Sequence, residues 1–128
     1  MDFKIKMPDL SGAKALLEGA IAKIDPLLND YKNATKKIEG LGFKIGKMTV
    51  AMGMLPVVHT SLIGAVANVD IVVLTKMKEE NKDDRVFVTL AEALILAKEI
   101  HSRIESKLES MTLNVTLGIP PSVSVDFA

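Results

Sequence analysis

The stretch AMGMLPVVHTSLIGAVAN, residues 51–68, decides how this chain is read. A quarter of the 128 residues are charged, yet none lies between Met48 and Val69. Three readings compete for that run: a membrane span, a buried helix, or a site built around its histidine. Apolar residues step by four and three through Leu41, Ile45, Met48, Met52, Leu55, His59, Leu62, Val66, Val69 and Val73. That spacing is a heptad seam and predicts a buried helix, kinked or broken at Gly53 or Pro56. A membrane span needs about 20 predominantly apolar residues, and the run is just long enough. Thr49, His59, Thr60, Ser61 and Asn68 interrupt it, however, and no Trp or Tyr flanks it. Lysines stand on both sides, so no basic bias sets an orientation. The buried helix is the preferred reading.

Outward from this stretch, two more segments carry the same spacing. On the N-terminal side the seam runs through Leu17, Ile21, Ile24, Leu28, Tyr31 and Ile38, with Thr35 between the last two. Asp9 or Ser11 can cap its start. Pro26 predicts a kink or a fresh helix start, and Gly40 or Gly42 can end the segment in the left-handed conformation. On the C-terminal side, EENKDD (79–84) reads as a solvated turn. The seam beyond it is Phe87, Leu90, Leu94, Ala97, His101, Ile104, Leu108 and Met111, capped at Asp84 or at Thr89.

The ends alternate with period two, the mark of half-buried strands. Phe3, Ile5 and Met7 alternate at the start, then Leu113, Val115, Leu117 and Val123, Val125, Phe127 at the end, around the turn signal GIPPS (118–122). The expected fold is therefore mainly α: an elongated antiparallel helical bundle of three long, kinked helices. A small C-terminal β-hairpin and an N-terminal strand complete it. It reads as one domain, with an arm at 1–8, a helical body at 9–111 and a hairpin tail at 112–128.

Composition narrows the chemistry. Sixteen basic residues balance sixteen acidic ones, so no nucleic-acid partner is expected. There is no cysteine, which removes disulfides, thiolate chemistry and Cys-type zinc sites. The opening MDFKIKMPDL lacks the apolar core of a signal peptide. A cytoplasmic location is expected, and the sequons at Asn33 and Asn114 then go unused. GLGFKIGKMT (40–49) fails as a phosphate loop, because Leu41 replaces the first glycine and Met48 the Ser/Thr. Lysines 32, 36, 37, 44 and 47 make a locally basic stretch, read as a solvated face. EENKDD lacks the glycine and ligand alternation of a calcium loop. No pair of carboxylates and no Ser or Thr nucleophile sits in a catalytic context, so no enzyme is expected.

His59 and His101 are the only histidines. If the second and third segments fold back across 79–84, His59 faces Ile104 and His101 faces Leu62, about 4.5 Å apart along the axis. Glu105 could join them. Two histidines fall short of a usual metal set, so no metal and no cofactor is expected. The residues singled out are instead core or oligomer seams: Leu17, Ile21, Ile24, Leu28, Tyr31, Met48, Met52, Leu55, His59, Leu62, Val66, Leu90, Leu94, His101, Ile104 and Leu108. The function they suggest is a non-enzymatic interaction or structural protein. Its helical seams would drive homo-oligomerisation and its terminal strands would pair with another chain. The alternatives are membrane association through 48–69, and a carrier of an apolar ligand in a cavity lined by Met48, Met52 and Met54.

Overall fold

The computed structural model describes residues 2–6, 14–53 and 55–128, and side chains from residue 21 onward. The element order is β1 (Asp2–Lys6), α1 (Lys14–Glu39), β2 (Lys44–Met52), β3 (Pro56–Ala65), a short 3-10 turn (Val66–Asn68), α2 (Ile71–Glu80), α3 (Arg85–Arg103), β4 (Ser110–Leu117) and β5 (Ser122–Phe127). The strands form one sheet in the order β1-β2-β3-β4-β5. β2 to β5 run antiparallel, and β1 joins the edge of β2 in parallel. The fold is α+β, with helices packed against a sheet. It is neither a helical bundle nor a coiled coil with a minor hairpin.

The correction falls on the uncharged run. Residues 44–65 form the β2–β3 hairpin, in which Met48 pairs with Thr60, Val50 with Val58 and Met52 with Pro56. These residues point at the helices, while Thr49, Ala51, Val57, His59 and Ser61 point away. The β-branched residues crowded into 49–63 fit a pleated surface better than a helix. Gly53 and Pro56, expected as kinks, bracket the turn between the strands. Among the described residues no helix is long and apolar enough to cross a membrane.

α1 is a second correction. It runs unbroken from Lys14 to Glu39 with Pro26 inside it. Pro26 lies on the exposed side, where the carbonyl it leaves without a partner can turn to water. The turn after Glu39 closes at Gly42, whose φ of 102° only glycine adopts freely. A Cβ there would also stand 2.8 Å from the Asn68 amide. α2 and α3 start on aspartates. Asp70 accepts from the Val72 and Val73 amides, and Asp84 accepts from Phe87 N–H at 3.1 Å. Asp84 also holds Lys37 of α1 at 3.2 Å.

The core fills the space between the helices and one face of the sheet. Ile24, Ile38, Phe43, Leu62, Leu74, Phe87, Leu90, Leu94, Met111, Leu113 and Leu117 are all essentially closed to water. Its buried polar groups are paired. The Tyr31 and Thr60 hydroxyls share a hydrogen bond of 3.1 Å, and Thr35 donates to the Tyr31 carbonyl at 2.6 Å. The far face of the sheet is polar and wet, as one-sided antiparallel sheets allow.

Burial pushes the Tyr31 phenol above its ordinary pKa of 10.0, against the pull of its hydroxyl partners. Below that value both folded and unfolded chains hold the proton, and the stabilisation is complete. As pH rises past 10 the unfolded chain ionises first, so stability falls. Tyr31→Phe is expected to flatten the alkaline part of the stability curve, read as urea midpoints between pH 8 and 11. An unchanged slope would exclude Tyr31 as its source.

Candidate functional site

The heptad residues separate once the sheet forms. Ile24, Tyr31, Leu62, Val66, Leu90 and Leu94 are buried. Leu28, Met48, Met52, Leu55 and His101 are half-buried, and Ile21, His59, Ile104 and Leu108 are exposed. The side chain of Leu17 and the whole of Met54 lie outside the described residues, as do the candidate caps Asp9 and Ser11 and the strand residue Met7. Of the two caps weighed for α3, Asp84 holds the position and Thr89 lies inside the helix.

The histidines do not meet, because the sheet lies between them. His59 stands on the wet face, where its Nδ1 and the Thr116 hydroxyl share a hydrogen bond of 3.1 Å. Asn114, beside it, donates to Asp126 at 2.7 Å. With Lys47, Thr49, Ser61 and Thr116, His59 and Asn114 line a shallow polar depression. His101 sits on the helix side. Its Nε2 donates to the Leu108 carbonyl at 2.7 Å, and its ring packs at 5.0 Å from Phe127. It fastens the end of α3 to β5. Glu105 lies in the turn beyond, at a φ of 53°. Among the described residues no group of three His, Asp or Glu is placed to hold a metal ion.

The more enclosed site lies between the layers, where α1, the start of α3 and the β4–β5 hairpin leave a pocket of about 280 Å3. Leu27, Val86, Leu90, Val115, Leu117, Pro121 and Val123 give it apolar walls, and Asp30, Arg85 and Thr89 supply its polar groups. Among the described residues no methionine lines it. Each element has a local reason to contribute. Leu27 and Asp30 are three apart and share a face of α1. Val86 and Leu90 do the same on α3, one turn apart, with Arg85 and Thr89 repeating that step beside them. Val115, Leu117 and Val123 are the inward residues of alternating strands.

Asp30 and Arg85 are exposed, and among the described residues neither forms a salt bridge. The site therefore offers an apolar body with one anionic and one cationic group beside it, the composition typical of small-molecule pockets. Sequence spacing gave no sign that Asp30, Arg85, Thr89 and Pro121 share one pocket. They converge only through tertiary packing. The strand residues of the wall were visible as alternation, but not as a wall.

Compared with known protein families, with curated proteins and with solved structures, the chain matches none of them. The functional reading rests on its own geometry.

Proposed function

We propose that this chain is a non-enzymatic binding protein for a small, mainly apolar molecule with one polar end, held in the pocket between α1, α3 and the β4–β5 hairpin. The supporting observation is the pocket itself: seven apolar residues line it, and Asp30 and Arg85 stand beside it without salt-bridge partners among the described residues. Burying an apolar ligand there gains roughly 25 cal/mol per Å2 removed from water. Arg85 donates to an acceptor on the head group and Asp30 accepts from a donor. A head group with both, such as a primary amide, satisfies the two together.

The test uses 1-anilinonaphthalene-8-sulfonate as a fluorescent apolar probe, competed by decanamide, decanoate and decylamine. Saturable binding with displacement by decanamide is expected. Thr89→Trp, at an exposed position that lines the pocket, is expected to abolish it while leaving the folded circular dichroism spectrum intact. Arg85→Ala is expected to weaken decanamide by about tenfold, the size of one hydrogen bond to a charged group. Full binding by Thr89→Trp would end the proposal.

A further inference from the structure

We infer that two copies of this chain associate through their β5 edges, forming one continuous sheet across a two-fold axis. The first observation is the state of that edge. Ser110 and Ala128 exchange both backbone hydrogen bonds, at 3.1 and 3.0 Å. In an antiparallel ladder such pairs recur every second residue. The amides and carbonyls of 122, 124, 126 and 128 therefore point at β4, and those of Val123, Val125 and Phe127 point outward from the sheet. Edge strands are ordinarily blunted by lysine, proline or a bulge. β5, SVSVDF, has none of these, and its pairing with β4 runs without a register shift. The opposite edge, β1, reads DFKIK and carries two lysines.

The second observation is independent of the first. α3 lies over β5, where His101 meets Phe127. Glu92 ties one flank of α3 to α2 through Lys78. The other flank carries Val86, Ala93 and Ile100 at seven-residue steps, and Val86 lines the pocket with Pro121 and Val123. Ile100 also belongs to the row that steps by four from Glu92 through Leu96 to Ile104, just past the helix end, and Leu96, Ile100 and Ile104 are 58, 48 and 70% exposed. An exposed apolar stripe at four-residue steps thus stands on the helix that packs over β5.

One arrangement satisfies both. An axis perpendicular to the sheet keeps the helices of both copies on the same side. Centred on Val125, it pairs Val125 with the partner's Val125 and Val123 with the partner's Phe127, making about six main-chain hydrogen bonds. On the wet face it sets Ser124 beside the partner's Asp126, so hydroxyl meets carboxylate and the two aspartates stay apart. On the helix side it brings the two α3 stripes together. A second copy therefore supplies strand, polar complement and apolar cover at once. The closed two-fold limits the assembly to two chains.

The test is solution mass by light scattering after size exclusion of the whole chain, from about 5 to 200 μM. A dimer is expected, with the Val125 amide protected from hydrogen exchange only at high concentration. Val125→Pro removes an amide that the chain's own ladder does not use, so a folded monomer is expected. Leu96→Lys with Ile100→Glu, both on the solvent side, tests the stripe without touching the core and is expected to raise the dissociation constant at least tenfold. A monomeric wild type at 200 μM, an open-ended assembly, or dimers retained by the folded Val125→Pro chain would each overturn the inference. Should Val125→Pro fail to fold, undiminished dimerisation of the stripe variant does so.

Discussion

Phe87→Ala is expected to remove about 3–5 kcal/mol of stability, the range for deleting a fully buried aromatic ring. A domain of this kind holds only about 5–15 kcal/mol in total, so the variant should sit near the edge of unfolding. Phe87 is 0% exposed and joins three parts of the molecule. Its amide is the one that Asp84 caps, its ring sits in the core under α3, and Lys37 of α1 lies 5.1 Å from the ring centroid. Truncation leaves a void between rigid helices that cannot collapse into it, and it strips Lys37 of one of its two partners. The measurement is a urea midpoint with an unchanged slope against concentration. Leu96→Ala, at an exposed position of the same helix, serves as the reference and should stay within about 0.5 kcal/mol in the monomer. A loss below 1 kcal/mol for Phe87→Ala would mean that α3 is not packed as described.

The second large effect comes from adding atoms. Gly64 lies on the helix-facing side of β3, paired with Met111. A Cβ built there would stand 2.7 to 2.8 Å from three atoms of the Phe43 ring. Phe43 is 2% exposed and follows directly on the left-handed Gly42, so its backbone has little room to retreat. Gly64→Val should cost at least the roughly 1–3 kcal/mol of an overpacked core. Because the clash is with one ring, Phe43→Leu should recover part of that loss in the double variant. A coupling energy near zero in that cycle would show that the strain is relieved somewhere other than Phe43.

These two positions also show what the sequence discloses. Phe87 lies on a seam that is helical in the structure, and Leu90, Leu94 and Ala97 continue it into the core. The alternation of 111–117 and 123–127 marks strands that are present. The uncharged run misleads because β3 is a central strand. Val57 and Val58 are both apolar, and so are Leu62 and Ile63, which blurs the alternation of two faces. Residues of successive strands then fall on four-three spacing: Met48, Met52, Leu55, His59, Leu62. The β-branched content of 49–63, with Gly53 and Pro56 as punctuation, was the signal that favoured a hairpin. Length favoured a helix, and a hairpin of two short strands imitates it. The pocket was less legible still. Asp30 and Arg85 are 55 positions apart, and only the packing of α1 against α3 makes them neighbours. Gly64 gives no hint in the sequence of the ring that needs its flat surface.

The parallel pairing of β1 with β2 has a consequence for the order of biosynthesis. Asp2 pairs with Lys47 and Lys6 with Ala51, so each β1 residue leaves the ribosome 45 positions ahead of its partner. At about 5–20 residues per second the nascent strand waits roughly 2–9 s for β2 to emerge. The β2–β3 hairpin, by contrast, has its two strands side by side in the chain and can close as soon as both are out. The hairpin is thus the template and β1 the latecomer, though it was made first. Until β1 docks, the β2 edge is bare, and its unpaired amides and carbonyls are open to any other extended segment.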